Sequence, residues 1–349
     1  MQRMDDTSSS AAARHEAYAK AALTAYGLPG TARARMISLS ENATFLVETD
    51  HPVGVLRVYR IGYQSEAAIR SELAWIEALR NDGIVHTPGI RRTTDGETLQ
   101  WITVDGVTRA CAMFDHVPGT APADDDFATY ALVGRTAAEL HRQTDRWQRP
   151  AWFTRSTWDV DHILGPGAPW GRWSDGPGLN DDAIALLERA AGMVRARLAD
   201  YPARGPIAGL VHCDLRAANL LKGADNRVWV IDFDDAGFSW YLWDLCSSTT
   251  FIEHQPQLAD VIEAWLTGYR AVRPLTERDL DAIPDLVFLR RLHILAWLGS
   301  HPESDLAHTL GDSFTYDTVE LAQRYLDGRF LREYRPSAHD HCPSGAAHG

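Results

Sequence analysis

LVHCDLRAANLLK at 210–222 and RVWVIDFDD at 227–235 are the two stretches that decide how this 349-residue chain reads. The apolar approach Leu210–Val211 ends at His212 and Asp214, and Asn219 follows in the spacing HxDxxxxN. Two strand-like segments, 220–222 and 227–231, are joined by the turn-forming run Gly223–Asn226, which predicts a hairpin. That hairpin places Asn219 and Asp232, which flank it, at one end, with Asp214 just before them in the same loop. Two carboxylates and an amide oxygen at one spot form a hard-oxygen cluster suited to Mg²⁺, which takes few protein ligands and completes its shell with water and phosphate. The remaining carboxylate is then available to orient or deprotonate a hydroxyl for attack on a phosphoryl group. A lone Asp in a loop most often caps a turn. The full pattern, with a strand, a turn and a second strand ending in Asp, favours the chemistry.

Working outward, VGVLRVYR (53–60) and SELAWIEALR (71–80) hold a second constellation. Period-two alternation puts Val53, Val55, Arg57, Tyr59 and Ile61 on one strand face, with Arg57 as a charge among apolar neighbours. On the next segment Ile69, Leu73, Ile76 and Leu79 form a helical stripe, and Glu72 falls within it. Opposite charges planted in the apolar faces of adjacent elements are expected to pair, because leaving either unpaired and buried is costly. The pair is either a structural bridge or, beside a metal-and-phosphate site, a clamp for nucleotide phosphates.

The punctuation of the chain sets the remaining organisation. Residues 1–10 are polar and expected to fray, a helix is expected over 11–26, and Gly27 and Pro29 stop it. Strand-like segments follow at 33–39, 43–49 and 53–61, then a helix over 65–81 with Ser65 as N-cap and Gly83 beyond its end. Segments 98–104 and 107–115, joined by Asp105–Gly106, read as a hairpin. From about 124 the pattern turns helical: 124–146, 180–200, 256–271, 277–299 and 303–326. Segment 147–176 is irregular and holds Trp147, Trp152, Trp158, Trp170 and Trp173, expected to pack the loop or in part to wall an acceptor pocket. These signals give an α+β chain: an N-terminal extension and small β-rich lobe over 1–115, a larger helical lobe over 116–335, and a Pro/Ser/Gly/His-rich tail over 336–349. The tail's His339, His341 and His348 beside Cys342 are expected to bind nothing specific.

Composition narrows the function classes. The net charge of −13 argues against a nucleic-acid binder, which needs a basic footprint. No run of 18 apolar residues marks a membrane span, and the N-terminus lacks the apolar core of a secretory signal, so a cytoplasmic location with no membrane partner is expected. Cys111, Cys213, Cys246 and Cys342 are scattered, as expected of reduced thiols. Lys20 and Lys222 are the only lysines among 34 basic residues, so a site that needs a fixed cation draws on Arg. Arg290 and Arg291 are expected to face water.

HCDLRAAN, IDFDD and the later YLWDL (241–245) resemble the aminoglycoside phosphotransferase and choline kinase family, which shares the bilobal protein-kinase-like fold. Within it the resemblance is nearest to the branch of homoserine-kinase-type enzymes and the bacterial stress-response kinase. It runs from about Ile37 to Glu303 and includes LRVYRIGYQSEAAIRSELAWIEAL early and FLRRLHILAWLGSHPE late. The resemblance implies an ATP- and Mg²⁺-dependent kinase. Asp214 would be the catalytic base, Asn219 and Asp232 the Mg²⁺ ligands, and Glu72 the helix partner of the phosphate clamp. Met113, Phe114 and His116, with Asp115, match the hinge whose backbone would hold adenine, and Asp244 would support the catalytic loop from a helix start. His212 is expected to prop that loop by hydrogen bonding.

The sequence departs from the family pattern in three places. The clamp cation is Arg57 where kinases have Lys; it is bidentate and bulkier. No GxGxxG precedes it, so the nucleotide-covering turn is expected near Ser40–Thr44, with Asn42 as its contact. Cys213 replaces the small residue usual before the catalytic Asp and is expected to be a buried bystander. Eleven residues separate Asp232 from Asp244, which leaves no room for a regulatory activation segment. The expected reaction is transfer of a phosphoryl group to the hydroxyl of a small molecule: an amino alcohol, a hydroxy amino acid or an aminoglycoside-like acceptor. Protein phosphorylation of the stress-response type and nucleotide binding without catalysis are the alternatives.

Overall fold

Alternating apolar and polar residues in the first third of the chain build an antiparallel sheet against one long helix. The computed structural model describes residues 2–39, 42–123, 125–199, 201 and 209–334. Helix α1 (Gln2–Leu23) continues as a 3-10 turn to Tyr26 and stops at Gly27, whose φ of 62° is left-handed. It begins well before residue 11, in the run expected to fray; no Gly or Pro interrupts residues 2–26, so nothing in the backbone chemistry breaks the helix. Strands β1 (Arg33–Leu39), β2 (Ala43–Glu48) and β3 (Pro52–Val58) lead to α2 (Glu66–Asp82). Then come β4 (Ile90–Arg91), β5 (Gln100–Val104) and β6 (Val107–Asp115). The sheet order is β1-β2-β3-β6-β4, with β5 also pairing β6. As expected, Ser65 caps α2 by accepting from the Ala68 N–H, and Gly83 closes it at φ 66°.

Strand β3 corrects one expectation. The alternation marked Val53, Val55, Arg57, Tyr59 and Ile61 as the apolar face, yet the strand ends at Val58 and Ile61 is 59% exposed. The deeply buried face is the opposite one. Leu56 and Val58 join Phe45, Val47, Cys111 and Met113 in a core closed by Tyr18, Ala19, Ala22 and Leu23 of α1. A helix about 35 residues upstream chose the face, which no local periodicity could announce.

The rest of the chain comprises α3 (Phe127–Thr144), α4 (Val160–Leu164), α5 (Asp181–Leu198), β7 (Gly209–Val211), β8 (Leu220–Lys222), β9 (Val228–Val230) and β10 (Gly237–Ser239). It ends in α6 (Trp243–Ser248), α7 (Leu258–Arg270), α8 (Glu277–Ser300) and α9 (Asp305–Leu326). Strands β8 and β9 form the expected hairpin. The short β4, β7 and β10 and the helices α4 and α6 carry too few residues for a periodic signal. The chain packs as two compact units: Met1–Asp125, Glu139–Ser156 and Asp214–Gly237 in the first, Asp126–Ala138, Thr157–Cys213 and Phe238–Gly349 in the second. Among the described residues no helix is long and apolar enough to cross a membrane.

The second unit is organised on α8, which is buried on all sides from Ala282 to Leu298. Here Arg290 and Arg291 are 2% and 0% exposed, not facing water as expected. Arg291 pairs with Glu253 at 2.8 Å and also donates to Thr318 Oγ1 and Phe314 O. Arg290 donates to Thr250 Oγ1 at 3.1 Å and lies over the Trp170 and Trp243 rings. A helix buried on all sides from Ala282 to Leu298 has no water-facing side to offer them. Trp158 and Trp170 are buried against His293, with Trp170 stacked on it at 3.9 Å between centroids, whereas Trp152 is 55% exposed. Burial, and then the charge of Arg290, hold the pKa of His293 well below the usual histidine value.

Helices α3 and α7 meet at two glycines. A Cβ on Gly134 would lie 2.0 Å from Trp265 O, and one on Gly268 would lie 1.8 Å from Ala131 O. Only bare backbone permits that approach. Gly268→Ala is therefore expected to destabilise the fold by about 1–3 kcal/mol or more, the scale of overpacking; a chemical melt of the variant measures it, and an unchanged midpoint would show that α3 and α7 can part at no cost.

Candidate active site

The site is built from four segments of the first unit: β3, α2, the loop Asp214–Asn219 and the loop Asp232–Asp235. Arg57 on β3 donates through Nη1 to Glu72 Oε1 on α2 and through Nη2 to Asp232 Oδ1, both at 2.9 Å. The expected Arg57–Glu72 pair thus forms, and the sequence reading missed that the same guanidinium also holds Asp232. The forked, planar guanidinium serves the two carboxylates through separate nitrogens. Tyr59 and Phe114 flank it, with ring centroids 5.7 and 5.6 Å from Arg57 Cζ. Glu72 is fully buried, and burial pushes its carboxyl up to about 7 against the pull of Arg57. Burial disfavours the guanidinium charge as well, but Asp232 and Glu72 outweigh it and hold Arg57 well above its ordinary value.

Asp214 and Asn219 meet directly. Asn219 donates through Nδ2 to both the backbone O and Oδ2 of Asp214, each at 2.8 Å, which turns its Oδ1 away from that carboxylate. Arg216 donates through Nε to Asp214 Oδ1 at 3.1 Å, and the Asp214 charge raises its pKa. The β8–β9 hairpin does what its spacing predicts: Ile231 N–H donates to Asn219 O at 3.0 Å, which brings Asp232 beside Asn219. Asp232 itself has a left-handed φ of 64°, a rare conformation for a non-glycine. Its side chain remains 49% exposed while Phe233, the next residue, is buried edge-on against Trp75 of α2 at 5.2 Å.

The approach to Asp214 is held within the second unit. His212 and Cys213 donate their backbone N–H groups to the two oxygens of Asp244, at 3.2 and 2.8 Å. Asp244 lies in the first turn of α6 and is fully buried, as its expected supporting role requires. Cys213 sits at φ 68°, in the region that favours glycine, which supplies a physical reason for a small residue there. Cys111, Cys213 and Cys246 are buried thiols.

The remaining expected site residues fall into two groups. Met113 and Phe114 lie inside β6, paired with both β3 and β4, and the Met113 side chain belongs to the α1 core. His116 is the residue of that set beyond the strand end. Asn42 does not point away from the protein: its Nδ2 donates to Asp234 Oδ2 at 2.8 Å and its Oδ1 accepts from Arg60 N–H at 2.9 Å. Ser40 and the tail residues His339, His341, Cys342 and His348 lie outside the described residues. Three participants carried little sequence signal. Arg155, 7% exposed, donates to Ala68 O, Ala236 O and Asp234 O. Tyr63 donates to Asp235, and Gln64 donates to Asp234 O at 3.1 Å.

The donor set suits a hard divalent cation. Among the described residues no three His, Cys, Asp or Glu side chains close a metal site by themselves. Asn219 Oδ1, Asp232 and Asp214 nevertheless offer oxygen only, the chemistry of a Mg²⁺ that keeps waters and phosphate oxygens in its shell. Asp234 adds a buried Oδ1 with no hydrogen-bond partner, a carboxylate charge that a nearby cation would compensate.

Removing Arg57 tests the electrostatics of this arrangement. A carboxyl raised in the folded state adds stability that is full below its unfolded value near 4.5 and is lost as pH rises through its folded value, about 7 for Glu72. Arg57→Ala takes away the group that holds that value down. The part of its destabilisation that runs through Glu72 is therefore expected to be near zero at pH 5 and to grow to about 1 kcal/mol near pH 8, where Glu72 stays protonated in the variant after the natural carboxylate has ionised. Urea melts across this range check it; an equal loss at both ends would mean that packing, not charge, is what Arg57 contributes.

Comparison with known proteins shows the family. A family model described as the phosphotransferase enzyme family matches residues 14–275. The structure of the microcompartment-associated aminopropanol kinase superposes with a TM-score of 0.83 at 41% identity, covering 90% of this chain and 98% of that one. An amicoumacin kinase bound to AMP-PNP, Ca²⁺ and amicoumacin shares the fold at 18% identity, with a TM-score of 0.68 over 88% of this chain and 91% of that one. A homoserine kinase of Pseudomonas aeruginosa is 28% identical over 308 residues, 86% of this chain and 89% of its own length. The fold is the α+β protein-kinase-like fold that the motifs HCDLRAAN and IDFDD imply, and the chain belongs to the phosphotransferase enzyme family as a small-molecule phosphotransferase.

Proposed function

We propose that this protein transfers the γ-phosphoryl group of ATP, taken as its Mg²⁺ complex, to the hydroxyl of a small amino alcohol. The observation that carries the reading is the Glu72–Arg57–Asp232 set and the Asn219–Asp214 pair, tied by the Ile231 N–H to Asn219 O bond; it supports a phosphate-directed cation, a cation-binding oxygen set and a candidate base in one site. The amino alcohol is preferred because the aminopropanol kinase is 41% identical over nearly its whole length. The net charge of −13 also suits a cationic acceptor.

In this reading residues 1–115 carry the nucleotide and residues 116–335 the acceptor. Met113, Phe114 and His116 lie along the adenine, and Arg57, held by Glu72, faces the α- and β-phosphates. Asn219 and Asp232 would hold Mg²⁺, which when bound spreads the charge of the phosphates. Asp214 accepts the proton of the acceptor hydroxyl as its oxygen bonds to the γ-phosphorus and the bond to the β,γ-bridging oxygen breaks, releasing ADP. Arg216, bonded to Asp214, holds that carboxylate in place until the proton moves.

The test combines substrate and residue. With ATP and Mg²⁺, a panel of 1-amino-2-propanol, ethanolamine, choline, homoserine and an aminoglycoside is expected to show turnover on a small amino alcohol. Asp214→Asn keeps the shape and removes the base, so kcat should fall by roughly two to four powers of ten with ATP affinity little changed. Asp232→Asn should weaken the binding of Mg²⁺–ATP measured by calorimetry as well. ATP binding with no acceptor turned over would point to a nucleotide-binding protein without catalysis, and near-normal turnover in Asp214→Asn would remove it as the base.

A further inference from the structure

Helix α2 is held along its length by one stretch of chain, 143–155. Over its second half, Gln143 accepts from Trp75 Nε1 at 3.1 Å and donates to Asp82 Oδ2 at 2.8 Å. Nearer its start, Thr154 N–H donates to Ser71 Oγ at 2.9 Å, and Arg155 donates through Nη1 to Ala68 O at 3.0 Å. These two bonds bracket Glu72. Ser71 precedes it in the chain, and Ala68 is the residue whose carbonyl receives the Glu72 N–H in a regular helix. The other two nitrogens of Arg155 turn to the loop after Asp232: Nε donates to Ala236 O and Nη2 to Asp234 O. One guanidinium therefore spans the helix that carries Glu72 and the loop that carries Asp232, the same two elements that meet at Arg57.

The chemistry of the side chain suits that span. Arg155 is 7% exposed, and each of its three bonds runs from a charged donor to a carbonyl out of water, the setting in which losing a bond costs most. Its charge also reaches Glu72: burial pushes that carboxyl up, and Arg57 and Arg155 both pull against it. A lysine has one nitrogen where Arg155 uses three, so it can hold the helix or the loop but does not bridge them.

We propose that Arg155 is a positioning residue for phosphotransfer: it holds α2 and the loop 232–236 in one register, so that Glu72 and Asp232 stay at the two ends of the Arg57 fork. This rests on the kinase reading. Its bonds go to backbone carbonyls, and it acts through the helix and the loop that Arg57 joins.

The test is a double-mutant cycle of Arg155→Ala with Arg57→Ala, read as kcat and KM for ATP and for a verified acceptor, well below every melting midpoint. Arg155→Ala alone is expected to lower kcat/KM for ATP by on the order of tenfold or more, the scale of lost bonds from a charged donor, and to move KM for the acceptor by less than about threefold. In the Arg57→Ala background the same change is expected to cost less than about threefold further, because the clamp it positions is already gone. Arg155→Lys keeps the charge without the span, so its kcat/KM for ATP is expected to stay below that of the natural chain. If Arg155→Ala does not fold, the cycle is run with the lysine variant. A lower melting midpoint with kcat/KM for ATP unchanged would leave Arg155 a structural bond and overturn the proposal. So would full additivity with Arg57→Ala, a lysine variant equal to the natural chain, or a rise in the acceptor KM alone. A natural chain that binds no Mg²⁺–ATP would overturn the kinase reading and this role with it, a result read from the natural chain before any variant is compared.

Discussion

Arg57 is the constraint around which the first unit is arranged. A guanidinium on β3, with 12% of its side chain exposed, must be compensated wherever it points. It is compensated twice, by Glu72 from α2 and by Asp232 from the loop after β9, each at 2.9 Å. One cation thereby fixes the rotation of a helix, the register of a strand and the position of a loop whose sequence lies 175 residues away. Glu72 cannot be satisfied by water, since it is fully buried, and burial raises its pKa against the pull of Arg57. The arrangement is stable as a set and costly in fragments, which is the usual economy of buried ion pairs.

Around that pair a few further contacts tie the segments of the site together. Asn219 joins Asp214, the hairpin bond from Ile231 joins Asn219 to Asp232, and Phe233 seats the following loop on Trp75. Asp234 and Asp235 are drawn to Asn42 and Tyr63. Two left-handed residues, Cys213 and Asp232, stand next to this chemistry. Such conformations persist only where neighbouring contacts over-determine them, here Asp244 for Cys213 and Arg57 for Asp232. Constraint of this kind fixes where the neighbouring Asp214 and Asp232 carboxylates stand.

Much of this was legible because it is local. The hairpin between Asn219 and Asp232, the cap at Ser65, the stop at Gly83 and the turn at Asp105–Gly106 each depend on a few adjacent residues, and each formed as its chemistry requires. The Arg57–Glu72 pair was legible for a different reason: each charge broke the apolar pattern of its own element, and two such breaks in neighbouring elements have one inexpensive resolution. Arg155 was not legible. It sits in the irregular, Trp-rich segment, and its three carbonyl partners at Ala68, Asp234 and Ala236 come from parts of the chain that share no pattern with it. Arg290 and Arg291 were read as facing water because arginine usually does, yet α8 is enclosed on every side and Glu253 and Thr250 answer them there.

The sequence by itself determined the identity and order of the candidate site groups: an oxygen set in the spacing of HCDLRAAN and IDFDD, an arginine as the cation of a chain with two lysines, and a carboxylate on the helix that follows it. These are properties of neighbours along the chain, and backbone geometry carries them into space almost unaided. Only the tertiary structure decided which face of β3 is buried, that Arg57 serves Asp232 as well as Glu72, and that Asn42 gives its amide to Asp234 and Arg60. Those choices rest on contacts between segments far apart in sequence, where the energy of burying or pairing a group depends on what arrives from elsewhere, and no stretch of residues encodes that alone.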